Sequence, residues 1–186
     1  MKRLLETNIN NPDYWDSHQT ATDFGLRQEK YAELAGKGER VIELGCGLSP
    51  FLSRVDFKER WGVDYSPKTI EEAKKLYSGV NFAVGSATET PFRDNYFDVA
   101  VAGEIIEHLE KPWELVREME RIARKIIIST PILEFLDPEH LWQFYVDDFK
   151  QLGFNVEVIN SDRFKGRSYI FASKIKEYPW TDLIQA

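Results

Sequence analysis

The stretch Val41-Ile42-Glu43-Leu44-Gly45-Cys46-Gly47-Leu48-Ser49-Pro50, continued by Trp61-Gly62-Val63-Asp64, decides the fold. Val41, Ile42 and Leu44 form a short apolar run that stops at glycine, the pattern of a buried parallel strand. Gly45 and Gly47 lack a Cβ, so the backbone can turn tightly there and approach a ligand. Ser49-Pro50 is a helix start, with serine as N-cap and proline at the first helical position. Asp64 lies nineteen residues after Gly45, at the tip of a second short strand. At that distance a carboxylate can accept two hydrogen bonds from a ribose diol. The stretch reads as a nucleoside-binding strand-turn-helix-strand.

A dinucleotide site wants G-x-G-x-x-G, with the pyrophosphate on the helix N-terminus. Here Pro50 occupies the third glycine position, and Glu43 sits at the strand end. A carboxylate there repels phosphate but suits a ligand that carries an ammonium and a sulfonium, such as S-adenosylmethionine (SAM). E-L-G-C-G followed by G-V-D-Y-S resembles the glycine motif and acidic motif of class I SAM-dependent methyltransferases. The resemblance continues through Val84 to Phe92, Asn95 to Ala100, and Gly103-Glu104-Ile105-Ile106-Glu107-His108-Leu109. It implies a Rossmann-like α/β fold with a seven-stranded, mostly parallel sheet. In that family Gly45, Cys46 and Gly47 would lie beneath the methionyl part of SAM. Glu43 would influence the ammonium, Asp64 would hold the ribose hydroxyls and Tyr65 would lie beside the adenine. Ser86, Ala87 and Thr88 would line the adenine edge. The family commonly has aspartate where Ser86 stands, and serine accepts a hydrogen bond there without charge assistance.

With 186 residues, 42% of them hydrophobic, the chain suits one domain with a sizeable core. The net charge of -7 disfavours general electrostatic binding of nucleic acid without excluding a local basic patch. Arg117, Arg121, Arg124 and Lys125 read as a solvated helix face. A single cysteine, Cys46, excludes an internal disulfide and reads as a small residue in a tight turn. No apolar run reaches membrane-spanning length and the first residues lack a signal-peptide core, so a cytoplasmic protein is expected.

Residues 1–25 are polar with Tyr14-Trp15 embedded, and read as an arm that either packs on the domain or closes over the cofactor. His18 in this arm has no supporting constellation. Residues 26–186 read as the single SAM-binding domain. Leu26 to Leu34 predicts a helix burying Leu26, Tyr31 and Leu34. Ser66-Pro67 opens the next helix, with Ile70, Ala73 and Tyr77 on one side. Phe82 to Val84 and Asp98 to Ala102 are strands. Lys111-Pro112 opens a helix striped by Leu115, Val116, Met119, Ile122 and Ala123. Lys125 to Ser129 is a buried strand that Thr130-Pro131 is expected to stop. Asp147 to Leu152 is a helix capped by Gly153. Phe154 to Ile159 and Tyr169 to Ser173 are strands joined without a helix by Asn160 to Gly166, which implies one antiparallel edge strand. Strand-helix alternation implies helices on both faces of the sheet.

Glu104, Glu107 and His108 follow the fourth strand at the carboxyl end, where open α/β sheets bind ligands. Glu104 is read as a cofactor contact. His108 and His140 are read as catalytic, each able to serve as a general base near neutral pH. No metal is assigned, since the histidines are read as acting singly. The competing reading is a metal-dependent RNA terminal 2'-O-methyltransferase, whose segment Glu104, Glu107, His108 and His140 match residue by residue. Two carboxylates and two imidazoles can ligate Mn²⁺, Co²⁺ or Zn²⁺. A SAM-binding adaptor or sensor without transfer, and an NAD-linked oxidoreductase, complete the alternatives. The leading expectation is a methyltransferase acting on a small-molecule acceptor that the sequence does not name; oligomeric state is equally open.

Overall fold

The computed structural model describes residues 1–3, 24–49, 51–132, 140–160 and 168–176. The arm carrying Tyr14, Trp15 and His18, together with Pro50 and the connection after Asn160, lies outside these. In chain order the elements are β1 (Lys2–Arg3), α1 (Phe24–Ala35), β2 (Lys37–Leu44), α2 (Phe51–Arg54), β3 (Asp56–Asp64), α3 (Pro67–Leu76), β4 (Asn81–Val84) and β5 (Phe97–Gly103). A 3-10 turn (Ile106–His108) then leads to α4 (Pro112–Ile122), β6 (Ala123–Ile132), β7 (Trp142–Gln143), α5 (Val146–Lys150), β8 (Asn155–Asn160) and β9 (Ser168–Ile175).

Seven strands form one sheet in the order β4-β3-β2-β5-β6-β9-β8. The first five are parallel, and β9 runs antiparallel to both β6 and β8. The antiparallel strand therefore lies one place in from the edge, and β8 forms the edge itself. The sheet order also reverses between β2 and β5: the chain builds outward through β3 and β4, then returns to β5 on the other side. Ligand crevices of open α/β sheets form at this kind of reversal, at the carboxyl ends of the strands.

Side-chain alternation divides the core between the two faces. Val41, Val99, Val101 and Ile127 pack under α1, α2 and α3 with Tyr31, Phe51, Leu52, Ile70 and Ala73. Ile42, Leu44, Ala100, Ala102, Ile126 and Ile128 pack under α4 and α5 with Leu115, Met119, Ile122 and Phe149. Burying a branched or aromatic side chain in this way stabilises the fold by about 1.5–3 kcal/mol each. Ser66 caps α3 through a bond from the Thr69 amide (3.0 Å), with Pro67 at its start. Ser49 accepts from the Phe51 amide (3.3 Å) at the head of α2.

Four local expectations change. Ala123 opens β6 rather than closing α4, so helix and strand join without a loop. β6 runs through Pro131 to Ile132. Its pairing with β5 ends at Ser129, so at Pro131 the strand has only β9 beside it, and proline is tolerated where one side of a strand is open. In α1 the buried residues are Gln28, Lys30, Tyr31 and Ala35, while Leu26 and Leu34 are only half-buried. Arg121 is not a solvated charge. It donates to Glu118, Asp94 and the carbonyls of Phe92 and Thr90, and so ties down the loop after β4.

Candidate functional site

The turn after β2 is laced to β3. Gly45 and Cys46 amides both donate to the Val63 carbonyl, at 2.8 and 3.0 Å. Gly45 has φ +67°, and a Cβ there would stand 2.4 Å from the Ile105 side chain, so only glycine fits. The Gly47 amide donates to Asp64 Oδ2 and the Ser66 amide to Asp64 Oδ1, each at 2.9 Å. Two amides thus fix the orientation of the carboxylate. The Gly85 amide donates to the Asp64 carbonyl (2.9 Å), which brings the residues after β4 to the same edge. There Thr88 donates through its amide to Ser86 Oγ (3.1 Å), and the two hydroxyls are 2.9 Å apart. Ala87 is buried between them, and Tyr65 is exposed beside Asp64. Cys46 is buried, and burial pushes its thiol well above the ordinary range, so it is an inert filler of the turn.

Glu43 points to the α1 face at the end of β2 and is 3% exposed, with Oε2 making no hydrogen bond. Burial is the main cause that raises its carboxyl to about 8; the charge of Asp64 adds to this, while Ser49 and Arg27 pull it down. α1 supplies the polar groups that meet it. Gln28 Nε2 donates to Ser49 Oγ (2.9 Å), and Arg27 Nη1 lies 3.1 Å from Glu104 Oε2. Glu104 follows β5 at φ +56°, a left-handed conformation that costs a non-glycine residue energy. Its carboxylate also accepts from Ser129 Oγ (2.5 Å), which in turn lies 2.6 Å from the Tyr31 hydroxyl. Glu104 is therefore held between α1 and β6.

Glu107, His108 and His140 form a second group beyond β5. The ring centroids of His108 and His140 are 4.8 Å apart, edge to face. His108 Nε2 is 3.9 Å from Glu107 Oε1, and one ligand atom from each of the three residues falls within 4.8 Å of the others. The Leu141 amide donates to the Glu107 carbonyl (2.9 Å), which docks the segment after β6 onto the 3-10 turn. Glu107 is 1% exposed, and neither carboxyl oxygen makes a hydrogen bond, although Thr130 is near enough to favour its charged form slightly. Burial first, then the Glu104 charge, raises its carboxyl well above the ordinary range. Of the four residues read together from sequence, Glu107, His108 and His140 converge, while Glu104 pairs with Arg27 and acts on Glu107 through its charge.

Sequence reading passed over Arg27, Gln28, Tyr31 in its polar role, and Ser129. Their one visible signal was a helix whose inward positions are not uniformly apolar.

Residues 42–126 match the family described as "Methyltransferase domain". Ajmaline N-methyltransferase of Rauvolfia serpentina is 31% identical over 114 residues, covering 55% of this chain and 39% of the relative. A probable chloroplastic tocopherol O-methyltransferase of Oryza sativa subsp. japonica is 32% identical, covering 56% of this chain and 34% of the relative. The chain thus matches well under half the length of these curated relatives. A SAM-dependent methyltransferase structure from Aquifex aeolicus superposes with a TM-score of 0.66 at 18% identity, over 88% of this chain and 98% of that one. Residues 42–126 thus match a methyltransferase domain, and the fold as a whole is similar to that of a SAM-dependent methyltransferase.

Proposed function

We propose that the protein transfers a methyl group from SAM to a small-molecule nucleophile, an amine or a hydroxyl. The observation that carries this is the Asp64 carboxylate, fixed by the Gly47 and Ser66 amides one strand away from the buried Glu43. A glycine turn that admits no Cβ, an oriented acid for a ribose diol and an acid that lacks a full set of partners suit a nucleoside with a cationic side chain. They do not suit a pyrophosphate. Glu43 faces the ammonium, Asp64 holds the ribose hydroxyls, and Gly45, Cys46 and Gly47 support the methionyl chain. Tyr65 covers the adenine, with Ser86, Ala87 and Thr88 along its edge. The names of the two relatives, one an N- and one an O-methyltransferase, support a small acceptor while leaving its reacting atom open.

SAM supplies an electrophilic methyl group when bound. The chain's part is alignment, exclusion of water and removal of the acceptor's proton. His108 or His140, at the same sheet edge, accepts that proton as the acceptor bonds to carbon. Residues 26–186 then form the catalytic domain, and residues 1–25 an arm that helps to exclude water. Work in the cytoplasm fits the unpaired Cys46; among the described residues no helix is long and apolar enough to cross a membrane.

Titration calorimetry with SAM, S-adenosylhomocysteine and NAD tests this reading, joined by a labelled-methyl screen of metabolite pools. SAM and its product bind, and NAD does not. Asp64→Ala removes the carboxylate, and weakens SAM binding by about 1–3 kcal/mol. NAD binding without SAM binding overturns the assignment, and SAM binding without transfer to any pool favours an adaptor or sensor.

The convergence of Glu107, His108 and His140 supports a second, metal-assisted version. Two imidazoles and a carboxylate are a donor set for a divalent ion such as Mn²⁺, Co²⁺ or Zn²⁺, whose charge would lower the pKa of an acceptor hydroxyl. Here a chelator abolishes turnover, and His108→Ala and His140→Ala each weaken metal binding. Turnover that survives chelation leaves the histidines as simple bases.

A further inference from the structure

The seven-stranded sheet ends in β4 on one side and β8 on the other, and the two edges differ. β4 is 4 residues long, and an edge strand that short offers little to pair with. β8 runs for 6 residues, Asn155–Asn160, in unbroken register with β9, and contains neither proline nor lysine. Among the described residues only β9 pairs with it. Asn155, Glu157, Val158 and Asn160 are exposed, Val158 to 47%. Leu152 and Ile175, also large, apolar and exposed, stand near the start of the strand. The one charge on β8 is already answered. Glu157 Oε2 lies 2.7 Å from Lys30 Nζ, and Lys30, nearly buried on α1, is also 2.9 Å from Glu33. Natural sheets guard such an edge with an unpaired charge, a proline or a bulge. Here α1 cancels the charge and leaves a neutral, open strand.

We infer that β8 seats a second copy of this chain, whose own β8 pairs with it antiparallel about a two-fold axis. Such an axis stands perpendicular to the sheet and sets one residue opposite its own counterpart, so few registers are open. Centring on Glu157 puts like charges face to face, which is destabilising. Centring on Val158 pairs Val156 to Asn160 of each copy and separates the two acids. On the α1 face, where Ile159 packs, Glu157 then lies beside Ile159 of the other copy. On the α4 face, where Val156 packs, Val158 meets its own counterpart. Leu152 and Ile175, at the start of the strand, come beside the end of the other β8. The join is thus neutral and partly apolar, although each chain carries a net charge of -7. A closed two-fold uses the edge of both copies, so pairing through β8 stops at two. None of this depends on the SAM reading.

Sedimentation equilibrium on the full chain tests this. As concentration rises, the wild type reaches twice the monomer mass of 21.7 kDa. Val158→Lys sets two ammonium groups on the axis and raises the dimer dissociation constant at least about tenfold. Val158→Thr keeps a β-branched side chain and leaves that constant within about threefold of the wild type. Circular dichroism at low concentration checks that both variants are folded, as the exposure of Val158 leads one to expect. Cross-linking gives a second reading that does not need the lysine variant to fold. Cys46 is buried, so a thiol placed at position 158 is the reactive one. Val158→Cys is bridged between copies by a short bis-maleimide, whereas Leu76→Cys, exposed beside β4 at the opposite edge, is not. A wild type that stays monomeric up to about 1 mM overturns the inference. So does a dimer that Val158→Lys leaves intact, or one that is bridged through position 76 and not through position 158.

Discussion

Glu43 occupies a position where a strand normally ends in an apolar or small residue, and its burial makes its charge expensive. Its carboxyl is raised from the ordinary 4.5 to about 8, burial being the main cause. Because the folded value exceeds the unfolded one, the folded protein retains a proton over a range where the unfolded chain has already released it. The associated stability is complete below about pH 4.5 and is lost as pH rises to about 8. The whole effect amounts to roughly 5 kcal/mol as an upper bound. Glu43→Gln should therefore flatten the fall in stability between these limits, read as the difference between wild-type and mutant denaturation midpoints across pH. A cationic ligand reverses the balance by favouring the carboxylate. SAM binding at pH 7 should release close to one proton through Glu43, measured by calorimetry in buffers of different ionisation enthalpy. No such proton should appear with Glu43→Gln. At this scale the glycine turn, Glu43 and Asp64 were legible, because glycine and an acid at fixed spacing have few other uses. Arg27 was not legible, since an arginine in a polar helix normally points to water.

Among the elements, the loop between β4 and β5 depends most on a single anchor. Glu118 on α4 is nearly buried and accepts from the Thr90 amide (2.7 Å), the Thr90 hydroxyl (2.5 Å) and Arg121. Burial opposes its charge, but the bonds from Arg121 and Thr90 outweigh it and hold its carboxyl below the ordinary value. That stability is present above the unfolded carboxyl's range and is lost as pH falls through the lowered folded value. Glu118→Gln should cost on the order of 1.5–3 kcal/mol, as expected for charged hydrogen bonds. It should also speed hydrogen exchange at residues 86–92 more than in β5; uniform exchange would mean that the anchor is global. The elements themselves followed the sequence closely. Val41, Ile42 and Leu44, and Ile126 to Ile128, are short apolar runs of the kind a buried strand accommodates. The end of β6 was misjudged because tolerance of Pro131 depends on where β5 stops, which is a property of the neighbour. On α1 the burial of Tyr31 was legible but that of Gln28 and Lys30 was not, for a related reason: the partners of this face, Ser49 and Glu104 among them, come from other elements.

For the whole molecule, the antiparallel ladder of β1 and β7 fastens the start of the chain. Lys2 pairs with Gln143 and Arg3 with Trp142, and the Arg3 guanidinium lies over the Trp142 ring at 5.4 Å. β7 begins two residues after His140, while α1 begins three residues before Arg27. The segment that carries Tyr14 and Trp15 is thus attached at both ends beside groups of the site, whatever path it takes between them. A segment of about 20 residues closed in this way costs roughly 2.7 kcal/mol in chain entropy plus a constant, and that cost is part of folding. Closure of the arm over the carboxyl edge, as proposed above, is in consequence a first-order step, at an effective concentration set by the length of the strap and unaffected by dilution of the protein.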